Sequence, residues 1–381
     1  MRVIDGGVVF EAASADGGRA CTCFTGVRVL GDGTVLVTFR QASARKSSDG
    51  SMVLYASRDG GATWQRRYDT RGADDWAGTP GEVYSFSLRE EPDGALTATG
   101  LWIDRSGPER PFSHPRTSGL LPMRIFHTRS TNGGSSWSPR RRMETPPHVA
   151  ASPCSMPVLD LAGGVRAQPY ECWKEYEDPA PAPQAAYLRL SRDGGATWPD
   201  YVQVARDRGG GRFYWDQRLA VHPETGRLVA MFWTHDARAG RPLDVHIAWG
   251  EPDGGDWTEP VGTGIIGNHT HPLAVGGDRL VAFYPTRGAG RDALRAIMAA
   301  ESHDFGRTWD AAARTVVYRS EQDEEAGSRA GRTLLDTWSD MTEWRYGHPR
   351  AALLHDGTVF VVFYAGATAS ATDVRWARLE L

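Results

Sequence analysis

A short segment recurs along the chain and narrows the range of folds open to it. Residues 57–64 read SRDGGATW, and residues 191–198 repeat the same letters. Residues 130–137 (STNGGSSW) and 302–309 (SHDFGRTW) keep the frame, and residues 250–257 (GEPDGGDW) are a degraded copy. We call these segments Asp boxes. Recurrence of this kind indicates an array of similar supersecondary units.

The residue types of the Asp box suit a tight turn between two strands. The Asp or Asn side chain accepts hydrogen bonds from backbone N–H groups of the turn, and glycine takes the positive φ that the turn needs. Ser and Thr add side-chain hydrogen bonds, and Trp packs between neighbouring sheets. Because these bonds occupy the acidic side chain, we predict a structural role for the boxes and no catalytic one.

A second pattern, a turn between two apolar runs, precedes each box. Asp32-Gly33 and Asp356-Gly357 are its clearest examples, since Asp-Gly between apolar runs is a strong hairpin signal. Equivalent turns occupy residues 91–94, 161–164, 223–226 and 275–278. The pattern gives six units, which open near residues 21, 82, 149, 214, 267 and 344.

Six such units predict an all-β fold, a six-bladed β-propeller that spans residues 1–381 as a single domain. The sixth unit has no box and no strand after one. Residues 3–12 are apolar enough to supply the missing strand, which would close the ring and remove its exposed edges. Two separate β-domains are the alternative, but they leave the incomplete sixth unit unexplained.

Composition agrees with a fold of short strands and many turns. The chain has 44 Gly, 23 Pro and 14 Trp, which favours turns and flat side chains packed between sheets. Little helix is expected, and residues 311–318 and 321–335 are interpreted as insertions. The four cysteines are expected to be free buried thiols: Cys21, Cys23, Cys154 and Cys172.

Charge and hydropathy exclude several classes of function. The net charge is −4 and basic residues are scattered, so no nucleic-acid partner is expected. No apolar run approaches the roughly 18–20 residues of a membrane span. The first residues lack a signal-peptide pattern, which predicts a cytoplasmic protein. No cofactor or metal is predicted, and the oligomeric state is left open.

Polar side chains are expected to converge at one end of the propeller axis. First strands begin at that end, and the loops between second and third strands border it. Convergent polar groups of this kind are typical of a ligand site. His269, His271 and His348, together with Glu171, could also hold a metal ion, although no sequence spacing requires one. The residues assigned to the site on this ground are Glu171, His269, His271, His348, Tyr214, Trp173 and Lys174.

With Asp boxes on five of six units, the whole chain resembles the sialidase (neuraminidase) superfamily. Sialidases typically hold a carboxylate with three arginines and use a Tyr–Glu pair as nucleophile and an Asp as acid/base, an exception to the usual carboxylate pair. The resemblance implies Tyr346 as nucleophile, Asp216 close to the position of the activating Glu, and Asp49 as acid/base. It also implies arginine clamp residues at Arg287 and Arg345, with Arg40 and Arg218 as further candidates.

The first unit departs from the sialidase pattern. Sialidases carry an Arg-Ile-Pro motif there, whereas this chain has CTCF at residues 21–24. Loss of that arginine removes a bidentate carboxylate contact, so a terminal sugar other than sialic acid is expected, either acidic or rich in hydroxyls.

The candidate catalytic residues are Tyr346, Asp216, Asp49, His348 and Glu171.

The predicted function is therefore a sialidase-like, exo-acting glycoside hydrolase acting on a carbohydrate. A polysaccharide or glycoside lyase is one alternative, in which Tyr or His removes the proton α to a uronate carboxylate and Arg stabilises the enolate. A non-catalytic glycan-binding propeller is the other.

Overall fold

The computed structural model describes residues 1–72, 75–145, 156–287, 294–310, 312–320 and 340–381. Within those residues the strands form six antiparallel sheets, arranged as the blades of a propeller. In blades one to five the main strands follow one another outward in chain order, whereas the outermost strand of blade six is the first strand of the chain. The predicted all-β, six-bladed propeller is confirmed. Three 3-10 turns occur in the described residues: Ala12–Ser14, Asp16–Gly18 and Ala162–Gly164.

The first three blades use strands β2 to β13. Blade one contains β2 (Cys21–Val29), β3 (Val35–Ala42), β4 (Ser51–Ser57) and β5 (Gln65–Asp69). Blade two contains β6 (Gly81–Glu90), β7 (Leu96–Asp104), β8 (Met123–Ser130) and β9 (Arg141–Arg142). Blade three contains β10 (Leu159–Asp160), β11 (Arg166–Cys172), β12 (Ala185–Ser191) and β13 (Asp200–Ala205).

The last three blades use β14 to β25. Blade four contains β14 (Arg212–Val221), β15 (Leu228–Asp236), β16 (Arg241–Pro242), β17 (His246–Gly250) and β18 (Val261–Gly262). Blade five contains β19 (His271–Gly276), β20 (Arg279–Arg287), β21 (Arg295–Ser302) and β22 (Arg314–Arg319). Blade six contains β23 (Tyr346–Leu353), β24 (Val359–Thr368) and β25 (Ala371–Glu380).

The amino-terminal strand β1 (Arg2–Phe10) completes blade six. It pairs antiparallel with β25, from Arg2 opposite Glu380 to Phe10 opposite Val374. Val9 and Phe10 are buried in the hydrophobic cluster between blades six and one. The predicted closure of the ring by the amino-terminal segment is confirmed.

The Asp boxes lie between the third and fourth strands of their blades. In the first box, Asp59 accepts hydrogen bonds from the Ser57 hydroxyl at 2.8 Å and the Thr63 amide at 2.9 Å. The Trp64 indole donates to the Gly61 carbonyl at 3.0 Å. The boxes that begin at residues 130, 191 and 302 repeat the Ser and Asx bonds. The predicted turn chemistry is therefore present in all four well-preserved boxes.

The core is divided among the spaces between blades, each filled by a hydrophobic cluster. Strand β3 shows how the sequence supplies them. Val35, Val37 and Phe39 pack toward blade six, whereas Leu36 packs toward blade two. Successive side chains of a strand point to opposite faces, so a blade buried on both faces needs the continuous apolar run that β3 has.

One predicted insertion is part of the propeller. Residues 312–318 fall largely in β22, the outer strand of blade five, because Val316 and Val317 pack against neighbouring strands. The predicted opening of blade three near residue 149, Cys154 and the insertion at residues 321–335 lie outside the described residues. Cys21, Cys23 and Cys172 are free and buried, as expected. The described part of the chain has no helix long and apolar enough to cross a membrane.

Candidate active site

A cavity of about 170 Å³ opens where the first strands begin, and all six blades contribute to its wall. At the ~30 Å³ that a water occupies in the liquid, this volume corresponds to roughly six waters. The wall is mainly aromatic and aliphatic, with a few polar groups, which is the composition of a small-molecule site. The ionisable residues in it are Arg45, Lys46, Glu171, Asp216, His269 and His348, together with Tyr84 and Cys172.

Four of the cavity residues share an unusual backbone conformation. Phe24, Asp216, His269 and His348 have φ values of 53°, 52°, 44° and 49°. They occupy equivalent places at the starts of the first strands of blades one, four, five and six. In three of these strands the ladder register shifts at that point, so the local bulge turns the side chain into the cavity. Such backbone strain concentrates at functional sites.

Glu171 lies at the end of β11 and is 8% exposed. Its Oε1 accepts a hydrogen bond of 2.8 Å from the backbone N–H of Gln217. Burial raises the pKa of Glu171 from 4.5 to about 8, against the effect of that hydrogen bond, and the negative charge of Asp216 adds to the rise. Glu171 is therefore protonated at neutral pH and can donate a proton.

Asp216 is a carboxylate held by an arginine. Arg218 donates from Nε to Oδ2 at 3.0 Å and from Nη2 to Oδ1 at 2.9 Å. The two-point contact fixes the plane of the carboxylate. Asp216 and Glu171 thus place two carboxyl groups in one cavity, one kept neutral by burial and one paired with a cation.

His269 and His348 have neutral rings that face the same cavity. Their ring centroids are 4.1 Å apart. Burial lowers the pKa of His269 to about 3, and burial followed by the neighbouring His269 holds the pKa of His348 well below its usual value. Neither ring is a charged imidazolium near neutral pH, so neither can act as a general acid in that form.

Three tryptophans form a continuous wall beside the carboxyl groups. The ring centroids of Trp173 and Trp215 are 5.8 Å apart, and those of Trp215 and Trp233 are 5.2 Å apart. The Trp173 indole donates to the Ser118 carbonyl at 2.8 Å, which fixes its plane. His235 stacks behind Trp215 at 5.1 Å. The wall offers flat apolar surface to a ligand.

Two cations lie on the opposite side, in the loop between β3 and β4. Arg45 is 3% exposed, donates from Nη2 to the Trp344 carbonyl at 2.7 Å and lies over the Tyr364 ring. Among the described residues its Nε and Nη1 have no hydrogen-bond partner. Burial, and then the charge of Arg45, lowers the pKa of Lys46 to about 8. The cavity therefore carries positive charge that its own carboxyl groups do not balance.

The predicted site residues divide into two groups. Glu171, Asp216, His269, His348 and Trp173 line the cavity. The others do not line it and contact neighbouring protein groups: Tyr346, Asp49, Arg40, Arg218, Arg287, Arg345, His271, Tyr214 and Lys174.

The contacts of the second group explain their positions. The Tyr346 hydroxyl is buried and donates to the Thr286 carbonyl at 2.6 Å. Asp49 lies on the surface of the blade-one loop and accepts from the Ser43 amide at 3.1 Å. Arg40 is fully buried in an ion pair with Glu82 at 2.8 Å.

Further members of the group hold the surroundings of the cavity in place. His271 Nε2 lies 3.1 Å from the Ala351 carbonyl. The Lys174 ammonium donates to the Ala180 carbonyl at 2.7 Å, and the Tyr214 carbonyl accepts from Gln184 at 2.7 Å. Arg345 accepts a backbone hydrogen bond of 2.8 Å from Gly366.

Sequence reasoning missed Arg45, Trp233 and Phe112 as cavity residues. The sequence spacing could have identified the four cavity residues with positive φ, because each lies eight to ten residues before a hairpin glycine. Those glycines are Gly33, Gly226, Gly277 and Gly357. No comparable spacing identifies Arg45, which lies on an irregular loop.

The described residues contain no group of three or more His, Cys, Asp or Glu side chains placed to hold a metal ion. The three histidines that sequence analysis considered do not converge. His271 lies outside the cavity wall that contains His269 and His348, since it bonds to the backbone of blade six.

Comparison with known proteins identifies the fold. No protein-family model and no curated protein matches the sequence. A protein of unknown function from Dyadobacter fermentans is 17% identical with a TM-score of 0.70, over 100% of this chain and 99% of that one. The Hadza microbial sialidase Hz136 is 17% identical with a TM-score of 0.68, over 99% of this chain and 68% of that one.

An α-L-arabinofuranosidase from Fusarium graminearum, solved with an iminosugar inhibitor, is 13% identical with a TM-score of 0.64, over 100% of this chain and 99% of that one. Sequence identities this low show that the proteins share a fold. The chain has the sialidase-like six-bladed propeller fold, which sialidases and an arabinofuranosidase also adopt.

Proposed function

We propose that this protein is an exo-acting glycoside hydrolase that removes a terminal, acidic sugar. The observation that carries the proposal is the pair of carboxyl groups in opposite environments within one aromatic cavity. Glu171 is buried and protonated, and Asp216 is paired with Arg218. Carboxyl groups whose environments separate their protonation states are the usual acid and base of glycoside hydrolysis. The sialidase and arabinofuranosidase activities of proteins with the same fold add support.

The two carboxyl groups have distinct roles in this proposal. Glu171 donates its proton to the glycosidic oxygen as the bond to the anomeric carbon breaks. Asp216 faces the positive charge that develops on the sugar ring, either as nucleophile or as the base that activates water. Arg218 holds the Asp216 carboxylate in a fixed orientation, because both guanidinium contacts are in place before the substrate enters.

Charge in the cavity supports an acidic sugar. Arg45 and Lys46 face it, whereas His269 and His348 are neutral and Glu171 is protonated. An anionic group on the ligand would offset this surplus in a site of low dielectric constant. The tryptophan wall gives the apolar face of a sugar ring a surface for stacking.

The geometry gives less support to Tyr346 and Asp49 as reacting groups. The Tyr346 hydroxyl points to a backbone carbonyl of blade five. Asp49 holds its own loop through Ser43 and Ser47. Both would have to leave these partners to reach a ligand in the cavity.

A uronate lyase needs a base that accepts a proton from carbon. The cavity histidines suit that task poorly, since burial lowers the pKa of His269 to about 3. A general base works best with a pKa near the working pH. Hydrolysis is therefore the reaction that we propose.

The test is a panel of 4-methylumbelliferyl glycosides and natural oligosaccharides that carry terminal sialic acid, uronic acid or arabinofuranose. Fluorescence and reducing ends report hydrolysis, and ultraviolet absorbance reports the double bond of a lyase product. On a hydrolysed substrate, Glu171→Gln and Asp216→Asn should each lower kcat by about 10²–10⁴-fold. Because 4-methylumbelliferone is a good leaving group, Glu171→Gln should lose less on it than on the natural linkage.

Tyr346→Phe and Asp49→Asn are the matched controls and should keep kcat within a small factor. Full turnover by Glu171→Gln on a natural linkage would reject the assignment of the acid. Loss of turnover in Tyr346→Phe with an intact Glu171→Gln variant would restore the tyrosine mechanism. Ligand binding with no product over long incubation would favour a glycan-binding protein.

A further inference from the structure

The proposed acid and nucleophile leave two cavity histidines without a role. His269 and His348 are 4% and 2% exposed, and both occupy strained positions that turn them toward the ligand space. Burial keeps both rings neutral. A neutral imidazole has one nitrogen that donates and one that accepts, so the hydrogen bonds of each ring decide what it offers the cavity.

The tautomer of His269 follows from its neighbour Asn268. Arg287 donates from Nη1 to Asn268 Oδ1 at 2.9 Å. A guanidinium has no acceptor, so that amide atom is the oxygen. His269 Nδ1 lies 3.1 Å from the same oxygen and must carry a proton to bond with it. The Nε2 of His269 is then an acceptor.

The tautomer of His348 is opposite. The backbone N–H of Phe24 donates to His348 Nδ1 at 3.1 Å. A nitrogen that accepts a hydrogen bond carries no proton, so the proton of this neutral ring is on Nε2. The Nε2 of His348 is therefore a donor.

Among the described residues, the hydrogen bonds of both rings are made by Nδ1, and neither Nε2 takes part in one. The cavity thus has an acceptor and a donor on two rings whose centroids are 4.1 Å apart. We propose that His269 and His348 together bind one hydroxyl group of the terminal sugar. The hydroxyl donates its hydrogen to His269 Nε2, and its oxygen accepts the hydrogen of His348 Nε2.

This inference rests on the proposed function and adds a specificity rule to it. A hydroxyl satisfies both nitrogens because it is donor and acceptor at once. An analogue with hydrogen or fluorine at that carbon leaves at least one buried polar atom unpaired, and such sites reject the deficient analogue strongly. The pair is a specificity-determining device and takes no part in proton transfer.

Nuclear magnetic resonance of histidine-labelled protein tests the tautomers without any ligand. The ring ¹⁵N resonances should show His269 protonated on Nδ1 and His348 on Nε2, unchanged between about pH 7 and pH 5. Assignment uses His269→Gln and His348→Gln. Matching tautomers on the two rings, or titration of either near its ordinary pKa, would overturn the proposal.

Sugar titrations then test the contact itself. The probes are N-acetylneuraminic acid, D-glucuronic acid and L-arabinose, each added to saturation, followed by monodeoxy analogues of whichever binds. The Nε2 resonances of both histidines should move, and one deoxy position should abolish both shifts. If none of the three sugars moves either resonance, the proposal is rejected.

Variants separate hydrogen bonding from strain. His269→Leu should weaken binding of the responding sugar by about 10- to 100-fold, the loss expected of a buried hydrogen bond. His269→Gln should recover most of it, because its amide oxygen accepts. Glu224→Gln, at an exposed position outside the cavity wall, is the control and should bind like the wild type. Equal losses in His269→Leu and His269→Gln would contradict the hydrogen-bonding role.

The two proposals fail in distinguishable ways. Sugar-dependent histidine shifts with no hydrolysis of any glycoside reject the hydrolase alone. Hydrolysis of a glycoside with unmoved histidine resonances rejects the hydroxyl contact alone.

Discussion

The four strained residues of the cavity show how single positions define the site. A left-handed backbone at a residue other than glycine costs on the order of 1–3 kcal/mol and persists only when the surroundings enforce it. Asp and His tolerate that conformation better than bulky apolar residues do. Three of the four are Asp216, His269 and His348. At these positions the sequence therefore uses residue types that tolerate a left-handed backbone and can also bind a ligand or exchange a proton.

Glu171 should couple protein stability to pH. Its pKa is raised from 4.5 to about 8 in the folded state, so the folded protein holds this proton more tightly than the unfolded chain. Its contribution to stability is complete below pH 4.5 and is lost as pH rises through about 8. Glu171→Gln should therefore raise the melting temperature at about pH 9 and have little effect at about pH 4.

Thermal melts of wild type and variant at both pH values check this expectation. Glu224→Gln changes an exposed side chain and serves as the control with no pH-dependent difference. A Glu171→Gln variant less stable than wild type in alkali would contradict the buried, protonated state.

At the scale of elements, the Asp boxes act as turn staples on the third-to-fourth strand connections. Ser302 is 1% exposed, and its hydroxyl both donates to Asp304 at 2.7 Å and accepts from the Gly306 amide at 2.8 Å. Gly306 is buried, so solvent cannot supply another acceptor for its N–H group. The degraded box keeps its Trp257 bond to the Gly254 carbonyl at 3.1 Å although a glycine replaces the serine.

Ser302→Ala should destabilise the protein by about 1–3 kcal/mol, because it leaves the buried Gly306 amide unpaired. His303→Ala in the same box changes a side chain that is 73% exposed and should change stability by under about 0.5 kcal/mol. Urea denaturation followed by tryptophan fluorescence measures both. Turnover of the active panel substrate should be unchanged in the two variants, since the boxes lie away from the cavity. Equal midpoints for both variants would refute the staple role.

The elements were far easier to predict than the site. Hairpin turns and Asp boxes depend on residues close in sequence, so Asp32-Gly33 or Ser57 to Trp64 specify their geometry locally. The cavity joins residues from six blades, and its wall depends on loop paths. Arg45 reaches the cavity from the irregular loop between β3 and β4. Tyr346 lies at the start of β23, but its hydroxyl bonds to the Thr286 carbonyl and does not line the cavity. The predicted residues that line the cavity lie near the starts of first strands, as Asp216 and His348 do, or at the end of β11, as Glu171 does.

At the scale of the whole molecule, the ring depends on strand β1. It covers the edge of β25, and Val9 and Phe10 fill the space between the last and first blades. An uncovered strand edge presents unpaired backbone groups to other chains. Closure therefore protects the propeller from self-association as well as stabilising it.

Deletion of residues 1–10 should lower the melting temperature and produce concentration-dependent oligomers through β25. Light scattering with size-exclusion chromatography measures the second effect. Ile4→Ser, at an exposed position of the same strand, is the control and should stay like the wild type. A monomeric truncated protein with an unchanged melting temperature would show that blade six closes without β1.

The pairing of β1 with β25 also decides how the molecule responds to force. The strands are antiparallel, and Arg2 lies opposite Glu380, so both chain ends leave from the same end of the ladder. Tension applied between the two ends loads one pair of residues at a time, beginning with that exposed ion pair. β1 should thus unzip from β25 at low load, whereas the other five blades remain whole.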